Sequence, residues 1–221
     1  MTQPMKAPAV RLFLLGFLTL FLELALIRYL AGNVWNMGYF PNLVLMGVFI
    51  GMGTGFVLHH RASEDRSRRL FFLAAFVILL LVTLVFWTHP HVPGFNKYVG
   101  KIGGEIYFTT APASDAFDFI FFILIFVFVI TTFALISQRT AKFFALFPPL
   151  KAYTLDILGS CCGILSFMLV SWLHLPAFVW FCLLVALFCF IEESRKLVAG
   201  LMLGTVVLFS WLYCRYWGSA A

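Results

Sequence analysis

Residues 10–31 read VRLFLLGFLTLFLELALIRYLA, an apolar stretch interrupted by few polar residues. A helix needs about 20 mostly apolar residues to cross the hydrocarbon core of a bilayer, so this stretch predicts a transmembrane helix. It is too long for the apolar core of a cleavable signal peptide, it contains Glu23 and Arg28, and no small-x-small cleavage site follows it. We therefore expect a permanent membrane span here.

The composition of the whole chain agrees with this expectation. Of its 221 residues, 63% are hydrophobic and 11% are charged, whereas a soluble domain is about 45–50% apolar and about 25% charged. A soluble fold of this size cannot bury so much apolar side chain, which excludes a cytosolic enzyme, a secreted disulfide scaffold and a disordered regulator. The net charge of +6 comes from short basic clusters between apolar runs. We therefore expect the lipid bilayer as a partner and no nucleic acid.

Further apolar runs predict an all-α polytopic membrane helix bundle that forms one transmembrane domain over residues 1–221. These runs are too long for strands and lack strand alternation. The seven predicted spans cover residues 10–31, 40–58, 70–87, 117–136, 153–173, 177–191 and 197–217. Residues 88–115 form a long connection rich in proline, glycine and aromatic residues. We expect an ordered loop that caps the outer mouth of the bundle, with a loosely structured loop as the alternative.

The positions of Lys and Arg predict the orientation. With seven spans, eleven of these residues fall on the side of the N-terminus and four on the opposite side. Cytoplasmic connections carry the excess of positive charge in multi-pass proteins. The sequence therefore predicts a protein of the cell inner (cytoplasmic) membrane with a cytoplasmic N-terminus. The run 177–191 is shorter than the about 20 residues that a complete crossing needs.

Glycines at intervals of four predict where helices pack closely. Hydrophobicity does not hold helices together in lipid, whereas small residues let two backbones approach. The alternative is the general enrichment of glycine in membrane helices. The predicted packing positions on the second, fifth and seventh spans are Gly47, Gly51, Gly55, Gly159, Gly163, Gly200 and Gly204.

Ionisable residues inside membrane spans are costly and are therefore candidates for function. Four stand out: Glu23, Arg28, Asp118 and Asp156. Depth along the spans favours a pair between Arg28 and Asp118 and leaves Glu23 without a cation. Glu23 and Asp156 are then either neutral or hydrogen-bonded groups that stabilise a helix interface, or groups that handle protons or cations in a cavity.

No motif for catalysis or cofactor binding is present. The five cysteines lack the spacing of a zinc or redox site, and the sequence contains no nucleotide-binding motif and no catalytic cluster in a polar segment. We therefore expect no cofactor, no metal and no enzymatic activity in this chain.

Two stretches carry a resemblance to a known family. The first joins Glu23 and Arg28 of the first span to Gly47, Gly51 and Gly55 of the second. The second stretch contains Tyr153, Asp156, Gly159 and Gly163. Together they resemble the membrane-embedded portion of bacterial spermidine-synthase-like membrane proteins. Many members of that family carry an aminopropyltransferase domain, which these 221 residues lack, so the resemblance implies a membrane scaffold without catalytic residues.

Two functions follow as hypotheses. The chain is a membrane subunit or anchoring module that binds another membrane or soluble protein and is linked to polyamine metabolism through the resemblance. Alternatively, it is a small transporter or channel for protons or a cationic, polyamine-like metabolite, with Glu23 and Asp156 as its carboxylates.

Overall fold

A computed structural model describes residues 8–34, 41–61, 63–88, 116–192 and 204. Within these ranges the chain folds into six α-helices, which confirms the all-α class for the described part. The helices are α1 (Pro8–Asn33), α2 (Pro41–Leu58), α3 (Glu64–Thr88), α4 (Ala116–Phe144), α5 (Pro149–Trp172) and α6 (Ala177–Glu192). The predicted span 197–217 lies outside the described residues except for Gly204, and the loop 88–115 lies outside them except for Thr88.

Four of the helices, α1, α3, α4 and α5, are long and apolar enough to cross a membrane. The chain is therefore a membrane protein built as a helix bundle. α2 and α6 are apolar but shorter, and their complete crossing remains a prediction.

Two helices extend well beyond the apolar segments predicted from hydropathy. α3 begins at Glu64 rather than at residue 70, and α4 continues to Phe144 rather than ending at residue 136. At the start of α3, the hydroxyl of Ser63 accepts a hydrogen bond from the backbone N–H of Arg66 at 3.3 Å. Such a cap, with acidic residues in the first turn, stabilises a polar helix start that hydropathy does not register.

α1 is the central helix of the bundle and contacts all five of the others. Over the most apolar 18-residue segment of α1, 61% of the residues are buried, whereas over the corresponding segment of α5 only 17% are buried. α1 therefore organises the bundle, and α5 lies at its periphery with most of its surface open.

The odd-numbered helices run in one direction. α1 and α5 are parallel, because Phe17 contacts α5 at Gly163 while Phe21, one turn later, contacts Phe167 with ring centroids 5.5 Å apart. α3 is parallel to α1, since the hydroxyl of Tyr29 near the end of α1 donates to the carbonyl oxygen of Val82 near the end of α3.

The even-numbered helices run in the opposite direction. Arg139 near the end of α4 pairs with Glu64 at the start of α3, and Phe188 near the end of α6 packs on Phe71 near the start of α3, at 4.6 Å between ring centroids. Gly55 near the end of α2 lies against Ser137 near the end of α4, so the starts of α1, α3 and α5 meet the ends of α2, α4 and α6. We call this the basic end, because it carries most of the described Lys and Arg residues.

The connection between α5 and α6 is a tight turn. His174 follows α5 with a φ of 52° in the left-handed region. The N–H of His174 donates to the carbonyl oxygen of Ser171 at 3.1 Å, and the N–H of Leu175 donates to that of Val170 at 3.3 Å. These two bonds form a Schellman motif, which closes a helix end within two residues. Pro176 then precedes α6, so the pair forms a helical hairpin.

Candidate functional site: intramembrane carboxyls and helix interfaces

α1 and α5 meet backbone to backbone. A Cβ atom added at Gly159 would overlap the carbonyl oxygen of Phe13, and one added at Gly163 would lie 2.5 Å from the carbonyl oxygen of Phe17. Real Cβ atoms do not approach other atoms this closely, and a backbone carbonyl cannot move aside. Glycine is therefore required at both positions for the two helices to approach as they do.

Asp156 lies in the same interface and fills a notch on α1. A Cβ atom added at Gly16 would lie 2.8 Å from Oδ1 of Asp156 and 2.6 Å from its carbonyl oxygen. One turn along α5, the hydroxyl of Ser160 donates to the carbonyl oxygen of Gly16 at 3.5 Å. The carboxyl group of Asp156 thus occupies the space that a side chain on α1 would otherwise take.

Glu23 lies on the same side of α1 as this notch. It is seven residues after Gly16, which is about two turns and about 10.5 Å along the axis. Its side chain is buried, with 8% exposed. The described residues provide neither Glu23 nor Asp156 with an ion-pair partner. The structure therefore aligns the two carboxyls along one helix face and does not bring them into one coordination sphere.

Arg28 lies closer to the end of the bundle opposite the basic end. Its side chain is exposed, and its Cζ atom is 5.4 Å from the centroid of the Trp180 ring on α6. Asp118 lies in the first turn of α4, and its side chain lies outside the described part, so the predicted pair with Arg28 stays a prediction. Arg28 is twelve residues beyond Gly16, about 18 Å from the level of Asp156.

A second close interface joins α2 to α4. A Cβ atom added at Gly51 would lie 2.5 Å from the carbonyl oxygen of Ile130, and one added at Gly55 would overlap the hydroxyl of Ser137. At Gly47 the corresponding contact is looser, 3.1 Å from a side-chain carbon of Val129. The two helices therefore approach most closely toward the basic end.

The remaining glycines named from the sequence differ from these. Gly200 lies outside the described residues. A Cβ atom on Gly204 meets nothing within 4 Å among the atoms that the structure describes.

A buried arginine at the basic end was not recognised as a structural residue from the sequence. Arg139 is 3% exposed, donates to Glu64 at the start of α3, and lies 4.8 Å from the centroid of the Phe143 ring. Lys142 lies 3.6 Å from the other carboxyl oxygen of Glu64. In the sequence Arg139 counts only among the basic residues that predict the orientation, because it falls after the predicted span 117–136. In the structure it connects α4 to α3.

An apolar groove of about 420 Å³ lies between α1, α5 and α6. Neither Glu23 nor Asp156 lines it. Its lining is apolar except for one hydroxyl and consists of Phe17, Phe21, Ser166, Val170, Leu183, Leu184, Ala186, Leu187 and Phe190.

No family model matches the sequence, and the comparisons with curated proteins and with solved structures also find no match. The resemblance to spermidine-synthase-like membrane proteins therefore rests on the residues quoted above.

Proposed function

We propose that this chain is an integral membrane subunit that anchors a larger assembly and does not itself catalyse a reaction. The observation that carries the proposal is the open surface of α5. This helix packs mainly on α1, and only 17% of its most apolar 18-residue segment is buried. A long helix held along one side and open along the other suits docking to a partner helix.

The open side of α5 has the residue pattern of a helix interface. Exposed side chains recur at intervals of four and three residues, the spacing of a seam between two packed helices. Two of them are small enough for close approach in a membrane. The seam consists of Thr154, Leu158, Cys161, Leu165, Met168 and Trp172.

The interior of the interface between α1 and α5 would hold this seam rigidly. With Asp156 in the notch at Gly16 and glycine at positions 159 and 163, α5 cannot easily slide or rotate on α1. The carboxyl of Asp156 then acts as a packing and hydrogen-bonding group. Under this proposal Glu23 likewise acts as a packing and hydrogen-bonding group in the interior of the bundle.

The proposal includes the finer topology. In this proposal the chain has seven spans, with residues 197–217 as the last. The N-terminus and the basic end then lie in the cytoplasm, as the bias of basic residues toward one side predicts. The resemblance to spermidine-synthase-like membrane proteins would make a soluble or membrane-bound enzyme of polyamine metabolism the partner. The membrane is then the cell inner membrane.

Affinity purification of the tagged chain from its native membranes in a gentle detergent tests the subunit proposal. We expect one protein to co-purify at fixed stoichiometry, and Leu158→Trp in the seam to release it. Leu80→Trp, at an exposed position of α3, is the matched control and should retain the partner. Equal retention by the seam variant, or absence of a stoichiometric partner, would contradict the proposal.

A second candidate, transport of protons or of a cationic metabolite, is favoured by the alignment of Glu23 and Asp156 on one side of α1 without a cation partner in the described ranges. Proton and spermidine flux into proteoliposomes, measured for the wild type and for Glu23→Gln, separates the two. Flux that is lost in Glu23→Gln supports transport. No flux, together with unchanged partner binding by Glu23→Gln, supports the subunit.

A further inference from the structure

The groove between α1, α5 and α6 opens laterally toward the surroundings of the bundle. Its rim on α6 is exposed, with Leu183 at 45% and Phe190 at 51% of their full accessible surface. Ser166 contributes a single hydroxyl, and the other lining side chains are apolar. In a bilayer, such an opening faces acyl chains directly.

The dimensions of the groove fit one acyl chain of one leaflet. On α6 the lining residues run from Leu183 to Phe190, three to ten residues beyond Trp180, which corresponds to a depth of about 5 to 15 Å below that residue. The hydrocarbon core of a bilayer is about 30 Å thick, so a single leaflet extends over about 15 Å. The groove therefore begins below Trp180 and ends near the middle of the membrane.

A cation lies at the level where the headgroup of such a lipid would be. The guanidinium of Arg28 lies on the ring of Trp180, at 5.4 Å from its centroid. Trp180 packs against Phe167 at 5.3 Å, and Phe167 packs against Phe21, which lines the groove. Contacting aromatic rings thus connect the charge to the cavity.

Trp180 adds a hydrogen-bond donor that the described residues leave unsatisfied. The ring is buried, with 6% exposed, and its Nε1 atom has no acceptor among them. Because this atom is also enclosed by the surrounding protein, the ring positions the guanidinium of Arg28 and does not itself bond to a lipid. Phosphate oxygens of a phospholipid accept hydrogen bonds, and the planar guanidinium of arginine matches phosphate geometry.

From these observations we propose that the groove binds an anionic phospholipid. One acyl chain lies between α1, α5 and α6, and the phosphate-bearing headgroup is held by Arg28 beside Trp180. The apolar lining recognises the chain, and the exposed guanidinium recognises the negative charge. The site is independent of the partner seam on the opposite side of α5.

Native mass spectrometry of the purified full chain tests this proposal, with palmitoyl-oleoyl phosphatidylglycerol as the anionic probe and the phosphatidylcholine of the same chains as the zwitterionic probe. We expect one tightly bound phosphatidylglycerol. Because a hydrogen bond to a charged group is lost, Arg28→Gln should weaken its binding about tenfold. Lys151→Gln, an exposed cation at the basic end, is the matched control and should bind as the wild type does.

A second variant tests the chain-binding part of the site. Ala186→Phe fills the groove and should abolish the tight binding of phosphatidylglycerol, whereas Leu80→Phe on α3 should not. Binding that neither Arg28→Gln nor Ala186→Phe changes would overturn the proposal. So would a disulfide between Leu187→Cys and a cysteine introduced within residues 197–217, because the chain itself would then occupy the groove.

Discussion

At the residue scale, the notch at Gly16 shows how two opposing effects of one methyl group are decided by geometry. Alanine is favoured over glycine inside a helix by about 1 kcal/mol. Overpacking of a well-packed site typically costs about 1–3 kcal/mol. At Gly16 the added Cβ would lie 2.6 Å from the backbone carbonyl oxygen of Asp156, which cannot rotate away. The steric cost should therefore exceed the gain in helix propensity.

We expect Gly16→Ala to lower the free energy of unfolding by up to about 2 kcal/mol, the balance of these two effects. Thermal unfolding in detergent measures this change. Gly32→Ala near the end of the same helix is the control, because its Cβ meets nothing within 4 Å in the described structure. It should be neutral or stabilising, and an equal loss in both variants would show that the notch at Gly16 is not tightly filled.

His174 offers a residue-scale prediction of the opposite sign. Its φ of 52° is a left-handed conformation, which costs roughly 1–2 kcal/mol for residues other than glycine. Glycine adopts this conformation without that cost and is the usual residue at this point of a Schellman motif. Because glycine is also more flexible in the unfolded chain, we expect His174→Gly to raise the unfolding free energy by about 1 kcal/mol.

His174→Val is the comparison variant for this prediction. A β-branched residue tolerates the left-handed region least, so His174→Val should lower the unfolding temperature while His174→Gly raises it. If both variants shifted the temperature in the same direction, the turn between α5 and α6 would not have the described geometry.

At the scale of the elements, two parallel helix pairs share one construction principle. In both, glycine on one helix faces backbone carbonyl groups of its partner, at Gly159 and Gly163 for α1–α5 and at Gly51 for α2–α4. Van der Waals contact between backbones replaces the hydrophobic effect, which does not act between helices in lipid. Large side chains at these positions would separate the helices.

We expect Gly51→Leu to separate α2 from α4 and to lower the unfolding free energy by roughly 3 kcal/mol, at the upper end of overpacking costs. Gly53→Leu, two residues away on the open side of the same helix, is a matched control, since a Cβ there meets none of the described atoms within 4 Å. Unfolding monitored by circular dichroism in detergent distinguishes them. Full stability of Gly51→Leu would mean that this face of α2 lies in lipid.

The extent to which the fold could be predicted from the sequence differs between the helices and their ends. The helices could be predicted because long apolar runs have few other solutions in a membrane. Their ends could not, since α3 begins at a serine cap and α4 continues past residue 136, through the polar residues Ser137, Gln138 and Arg139, to Phe144.

The same limit applies to the site. Gly47, Gly51 and Gly55 carry a periodic signal that a sequence can display. Gly16 is a single glycine whose role depends on Asp156, which lies 140 residues later in the chain. Only the tertiary arrangement shows that this glycine and this carboxyl group occupy one notch.

At the scale of the whole molecule, the alternating directions of the six described helices place the basic end on one side of the membrane. The excess of Lys and Arg predicts that this side is cytoplasmic. A membrane-impermeant thiol reagent tests the orientation in whole cells or right-side-out vesicles of a variant without native cysteines. We expect Arg66→Cys at the basic end to react only after permeabilisation and Asn33→Cys at the opposite end to react without it. The reverse pattern would invert the protein in the membrane.

The parallel packing of α1 against α5 is the central feature of the molecule, because it connects the carboxyl of Asp156, the glycine contacts and the open seam. Cysteine cross-linking in native membranes tests it most directly, with a short bifunctional thiol reagent and a background lacking native cysteines. We expect Phe21→Cys to cross-link with Phe167→Cys, whose ring contacts that of Phe21 in the structure, and not with Thr154→Cys on the opposite side near the start of α5. Cross-linking to residue 154 instead of residue 167 would mean that α1 and α5 do not pack as described.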